Sequence, residues 1–114
     1  MKEFMMIFRS EPQAWGNLSP EQMQENTKKW QDWIGGIAAQ GKFVSTSRLG
    51  FEGKTVKPND VITDGPYAEI KEIIGGNMVV KAESMDDAVE MAKGCPSLLI
   101  GGNVEVRDTM EIDK

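Results

Sequence analysis

The order of segments in this 114-residue chain predicts an α+β fold, an antiparallel sheet carrying two helices. Three observations predict it. Apolar runs at Phe4–Phe8 and around Met78–Val80 read as strands. Two helix starts, Ser19-Pro20-Glu21-Gln22 and Ser84-Met85-Asp86-Asp87, come after those runs. Each helix stop, Gly41 and Gly94, is followed by a further strand pattern.

Glu3–Arg9 is the first strand, bounded by Ser10-Glu11-Pro12, and a loop runs on to Leu18. Ser19 then stands at N-cap, Pro20 at N1 and Gln22 at N3, which together form a capping box. Met23, Thr27, Trp30, Ile34, Ile37 and Ala38 recur at helical spacing and predict the buried face of that helix. Gly35-Gly36 lies inside it; the readings are close packing against the sheet or a local weakening of the helix, and packing is the favoured one. Phe43–Leu49 reads as the second strand. Gly50–Asn59 is a polar excursion with room for a small hairpin. Asp64-Gly65-Pro66-Tyr67 is a turn, with Pro66 placed to start a helical turn through Ala68–Glu72. Gly75–Glu83 is the next strand. Met85, Ala88, Val89 and Ala92 share one face of the second helix, and Pro96 prevents its continuation. Asn103–Ile112 closes the chain as a strand. Strand, helix, strand, excursion, strand, helix, strand is the ferredoxin-like split βαβ order, and residues 1–114 read as a single domain. Two helices cover one face of such a sheet. With Phe4, Met6, Met78 and Val80 taken as outward-facing, the open face predicts a homodimer.

Composition excludes more chemistry than it suggests. The chain has no histidine and one cysteine, so Ser-His-Asp triads, Cys-His pairs, histidine metal sites, intrachain disulfides and CxxC motifs are all ruled out. No metal and no cofactor are expected. The net charge of −5 lies in residues 83–114, where eight acids face three bases, and no basic cluster elsewhere offsets it. That distribution argues against nucleic acid as a partner. Five apolar residues at Phe4–Phe8 are too few for a signal-peptide core or a membrane span. The eight methionines and unpaired Cys95 fit a reducing interior, so the expected location is cytoplasmic. Gly53-Lys54-Thr55 imitates the end of a P-loop, but Arg48 occupies the first glycine position and Val56-Lys57-Pro58 cannot open a helix.

The informative stretch is Thr63-Asp64-Gly65-Pro66-Tyr67-Ala68-Glu69-Ile70-Lys71-Glu72, followed by Gly75-Gly76 and an apolar strand. It resembles the signature of the DGPF group within the YCII-related family. The likeness continues through Ser84–Pro96, with its acidic helix start and closing Cys-Pro, and spans essentially the whole chain. The resemblance implies a dimeric α-β barrel. The wider family has a histidine–aspartate pair proposed as catalytic, its histidine on the first helix. That position falls near Trp30 here, and with no histidine in the chain a histidine-based mechanism is excluded.

Attention moves to other groups, each with a structural alternative. Asp64 could act as a general base or cap the turn amides that follow it. Glu69 and Lys71 could bind a ligand or form solvated pairs. Tyr67, the only tyrosine, could offer its hydroxyl to a cavity or pack in a core or interface. Arg48 could meet an anionic substrate or make a surface ion pair. Trp30 falls on the apolar stripe but near the family's proposed site. Cys95 has no neighbouring base and reads as structural. Two classes of function stay open. One is a domain that binds a small organic ligand in a cleft near the Asp-Gly-Pro-Tyr segment. The other is a small enzyme using Asp64 as acid/base, with Tyr67, Arg48 or Lys71 orienting the substrate.

Overall fold

The structure, a computed structural model, describes residues 1–11, 18–66, 68–69 and 72–110. Strand β1 spans Lys2–Ser10, and its burial alternates: Phe4, Met6, Phe8 and Ser10 are buried, with half-buried residues between them. Helix α1 (Pro20–Ala39) leads to β2 (Phe43–Arg48). A hairpin of β3 (Lys54–Lys57) and β4 (Val61–Asp64) fills the excursion, and β5 (Ala68–Glu69) precedes β6 (Glu72–Ala82). Helix α2 (Met85–Ala92), a short 3-10 helix at Pro96–Ile100 and β7 (Asn103–Asp108) complete the order. The main sheet runs β2-β6-β1-β7 with every pair antiparallel. That order, with α1 and α2 each linking two strands separated by one other, is the ferredoxin-like split βαβ topology.

The start of α1 is fixed locally. Ser19 Oγ accepts from the Gln22 amide at 3.1 Å, and Gln22 Oε1 accepts from the Ser19 amide at 2.8 Å. The helix ends where Gly41 takes φ +72°, a left-handed conformation that glycine adopts without a Cβ penalty. Ser84 caps α2 in the same way, accepting from the Asp87 amide at 3.2 Å. The two helices are joined by Trp33 Nε1, which donates to the Met91 carbonyl at 2.9 Å.

Register sets which face of the sheet is core, and it reverses the expectation for the open face. Phe4 lies opposite Val80 and Met6 opposite Met78, and all four are buried beneath the helices with Ile37, Ala88 and Ala92. They are not outward-facing. The other face carries Met5 opposite Val79 and Ile7 opposite Asn77, all half-buried. Because Phe4–Phe8 is apolar at every position, alternation could not mark its inner side; long-range pairing does.

Two further expectations are corrected. Ala68, Glu69 and Glu72 are extended, not helical: Ala68 pairs with Ile73 and Glu69 with Glu72, so the segment folds back on β6. Such pairing joins backbone groups to the ladder, which one isolated helical turn could not do. Gly35 and Gly36 pack against nothing; a Cβ on either would meet no atom within 4 Å. They weaken α1 and make no close contact. The last strand ends at Asp108, and residues 111–112 of its expected course lie outside the described residues.

Candidate functional site

A cavity of about 290 Å³ opens between α1 and the end of the sheet where β1, β2 and β6 meet. Helix α1 contributes Met23, Asn26, Thr27, Trp30 and Ile34, one stripe at spacings of three and four residues. The stripe reads as core in the sequence, yet only Ile37, at its C-terminal end, is fully buried; Met23 is 46% exposed. Sheet and loop residues supply the opposite wall, with Phe8, Thr46, Arg48, Gly76 and the β2–β3 loop residues Leu49 and Phe51.

Arg48 reaches this wall because β2 pairs with β6 in a register that sets Arg48 opposite Gly76. The approach is close: a Cβ on Gly76 would lie 2.6 Å from the Ser47 carbonyl oxygen. The Leu49 amide donates to the Gly75 carbonyl at 2.9 Å and fixes where the chain leaves the strand. Phe8 and Trp30 meet edge-to-face with ring centroids 5.1 Å apart, and Trp33 continues the cluster 5.4 Å from Trp30. The Trp33 indole nitrogen is satisfied by Met91, whereas Trp30 Nε1 is buried with no partner among the described residues.

The hydroxyls beside it are committed. Thr27 Oγ1 donates to the Met23 carbonyl and Thr46 Oγ1 to the Asn77 carbonyl, both at 2.9 Å. Arg9 Nη1 is held by Glu105, whose carboxyl is kept below the usual carboxylate range by hydrogen bonds from Arg107 and Arg9.

Of the residues singled out in the sequence, Arg48 and Trp30 line the cavity. Asp64 does not. It ends β4 on the hairpin, its side chain is 98% exposed, and Lys54 Nζ lies 3.8 Å away across the strand pair. The hairpin holds its own two-stranded ladder apart from the main sheet, and that separation carries Asp64 out into solvent. Tyr67 and Lys71 lie outside the described residues, as does the side chain of Glu69. Cys95 is buried beside Ser97, with sulfur and hydroxyl 3.2 Å apart, and burial pushes its thiol pKa up. Among the described residues no cluster of three or more acidic or cysteine side chains could hold a metal. Nor is any helix among the described residues long and apolar enough to cross a membrane.

Asn26, Thr46, Phe51 and Phe8 escape a sequence reading because they come from four separate segments. A usable signal existed on α1, where Asn26 and Thr27 interrupt an otherwise apolar face.

The fold and this helix-roofed cavity together define a small α+β domain with the ferredoxin-like split βαβ topology. The chain belongs to the YCII-related domain family, whose model matches residues 2–113. A solved structure with the same fold is 5-chloro-2-hydroxyhydroquinone dehydrochlorinase (TftG) from Burkholderia phenoliruptrix AC1100, in complex with 2,5-dihydroxybenzoquinone. The two are 14% identical, with a TM-score of 0.58, over 95% of this chain and 93% of that one. At that identity the likeness speaks for the fold alone. No curated protein matches the sequence.

Proposed function

We propose that this domain binds a small organic ligand in the cavity between α1 and the sheet, with Arg48 and Trp30 in its wall. The observation that supports this is the cavity's make-up. It is concave, mostly apolar, and carries a few polar groups, which is the usual composition of a small-molecule site. Its volume of about 290 Å³ suits a ligand of one or two rings. Asp64, Gly65 and Pro66 then serve to lead the chain out of the hairpin and are not part of the described wall.

A second reading, catalysis at the same cavity, is favoured by one finding: a protein of the same fold is named a dehydrochlorinase and holds 2,5-dihydroxybenzoquinone. It asks for an acid/base within reach of the ligand, and the exposure of Asp64 leaves that residue outside the cavity. Binding is therefore the reading carried forward. The homodimer belongs with it. Met5, Ile7 and Val79 on the helix-free sheet face are the apolar surface that a second copy would cover, in place of the residues expected from sequence.

The test is a thermal-shift screen against metabolites that includes 2,5-dihydroxybenzoquinone. A ligand present at 100 times its Kd stabilises the folded state by about 2.7 kcal/mol. Binders are expected to raise Tm in the wild type and to lose most of that shift in Trp30→Ala; a screen in which no compound shifts Tm would refute the proposal.

A further inference from the structure

The two edges of the main sheet differ. At one edge β2 is interrupted by a bulge between Phe43 and Ser45. At the other, β7 runs from Asn103 to Asp108 without proline, lysine or glycine, and its ladder to β1 has no bulge. Among the described residues β7 pairs with β1 alone. Bulges, prolines and lysines are the usual means of blunting a sheet edge, and a regular edge without them is a template for another strand.

Backbone bonds show which groups of β7 face outward. The Thr109 amide donates to the Glu3 carbonyl at 3.4 Å, in the register that continues from Phe4 opposite Asp108. Hydrogen-bonded pairs alternate along an antiparallel ladder, so Arg107 and Glu105 also turn their backbone groups toward β1. The far side of the sheet agrees. Leu49 donates to the Gly75 carbonyl and Lys81 to the Lys42 carbonyl, which turns Gly75 and Lys81 toward β2. Gly76, Met78 and Val80 then face β1 at Phe8, Met6 and Phe4, leaving Met5 and Ile7 to face Arg107 and Glu105. By the same alternation Val104, Val106 and Asp108 point their N–H and C=O groups away from the sheet.

This edge is complementary to itself. With a two-fold axis at Val106, antiparallel pairing of two copies sets Val106 opposite Val106 and Val104 opposite Asp108, all with outward backbone groups. Glu105 then stands opposite Arg107 of the second copy, and Arg107 opposite Glu105 of the second copy, at the closer non-hydrogen-bonded positions. Within one chain Arg107 Nη1 lies 3.1 Å from Glu105, and the Arg107 side chain is 66% exposed. A guanidinium has five N–H donors, so one carboxylate does not exhaust it. The charges also select the register. The smallest slip that keeps the outward groups facing each other is two residues, and it sets Glu105 opposite Glu105 or Arg107 opposite Arg107.

The helix side of the edge fits the same pairing. A groove of about 250 Å³ runs between α2 and β7, lined by Val89, Ala92, Lys93, Leu98, Val104 and Val106. Leu98 is 43% exposed. A second β7 strand would lay its own Val104 and Val106 beside this groove and bring its Asp108 to Val104, on the side where Lys93 forms the rim. We propose that the β7 edge is an interaction surface for a second copy of this chain, the two β7 strands pairing about a two-fold axis at Val106 into one continuous sheet. The surface is distinct from the helix-free face and does not depend on ligand binding in the α1 cavity.

The test is sedimentation equilibrium of the full chain from about 1 μM to about 1 mM, the span from specific to weak association. Arg107→Glu makes both cross-chain pairs like-charged, and so does Glu105→Arg. The wild type should reach twice the mass of either variant at the same concentration. An equal mixture of the two variants makes both pairs opposite again, so it should recover the wild-type mass that neither variant shows alone. Circular dichroism checks that each variant folds. Should Glu105→Arg fail that check, Val106→Pro replaces it: the Val106 amide points outward, so proline spares the ladder to β1, removes the bond to the second copy, and should halve the mass. Hydrogen exchange followed by NMR separates this edge from contact through the sheet face. The amides of Val104, Val106 and Asp108 should exchange about tenfold or more slowly in the wild type than in Arg107→Glu. Equal masses for wild type and a folded Arg107→Glu at every concentration, a mixture of folded variants that stays at the mass of its components, or equal exchange at those three amides would each overturn the proposal.

Discussion

Gly76→Ala is the sharpest test of how the sheet is assembled around the cavity. Gly76 sits in β6 opposite Arg48 of β2. An added methyl would lie 2.6 Å from the Ser47 carbonyl oxygen and 3.5 Å from the Arg48 Cα. The obstacle is backbone, so no side chain can swing aside. To reach ordinary contact, β2 must retreat from 2.6 to at least 3.4 Å, in a ladder whose hydrogen bonds tolerate little stretch. Overpacking of this kind costs about 1–3 kcal/mol. The control is adjacent in sequence: at Gly75 the same methyl meets nothing within 4 Å. Relative to glycine an alanine there should be neutral or stabilising by up to about 1 kcal/mol. Urea unfolding followed by circular dichroism measures both. With a slope of about 1–3 kcal/mol per molar, the Gly76→Ala midpoint should fall by roughly 0.5–2 M while that of Gly75→Ala holds or rises. Midpoints that agree for the two variants would refute the close approach of β2 to β6, and with it the placement of Arg48 on the cavity wall.

Three other outcomes follow from the same structure. Gly35→Ala and Gly36→Ala, on an uncrowded stretch of α1, should each stabilise the protein by up to about 1 kcal/mol in the same urea assay. Acid should destabilise it through two depressed carboxyls: Asp87, held down by the Glu83 backbone amide and then Lys42, and Glu105, held down by Arg107 and Arg9. A folded pKa below the unfolded one gives stability that is full above the unfolded value, about 4, and is lost as pH falls through the folded value. Asp87→Asn with Glu105→Gln should therefore flatten the fall in Tm below pH 4–5, about where unfolded carboxylates titrate. Cys95, 2% exposed and with its thiol pKa raised by burial, should react with a thiol reagent at neutral pH only as fast as the protein opens, so native protein labels slowly and urea-unfolded protein at once.

The sequence was legible where structure is decided locally. The Ser19 capping box, the Gly41 stop and the Ser84 cap are interactions between residues three or four apart, and all three stand where the motif puts them. Topology followed, since alternating strands and capped helices leave few ways to build one sheet. Features set by distant partners were not legible. Phe4, Met6 and their neighbours are apolar without a break, so only pairing with Met78 and Val80 reveals which side is core. The extended course of Ala68–Glu69 depends on β6 being available to pair with it. The cavity is harder still. Arg48 stands out by its charge and Trp30 by its place on the first helix, and nothing in the order of residues brings them to one cavity. Asp64 carried the most suggestive motif, yet the hairpin geometry that exposes it lies in the pairing of Lys54 with Asp64.

The most direct measurement is an NMR titration of the isotope-labelled protein with the compound that raises Tm most in the thermal-shift screen, following backbone amides. If the ligand occupies the cavity, the amides of Thr27, Trp30, Thr46, Arg48 and Gly76 should shift together and saturate with one Kd, while those of Lys54, Thr63 and Asp64 on the hairpin stay in place. Shifts confined to the hairpin, or none at saturating ligand, would contradict a site between α1 and the sheet.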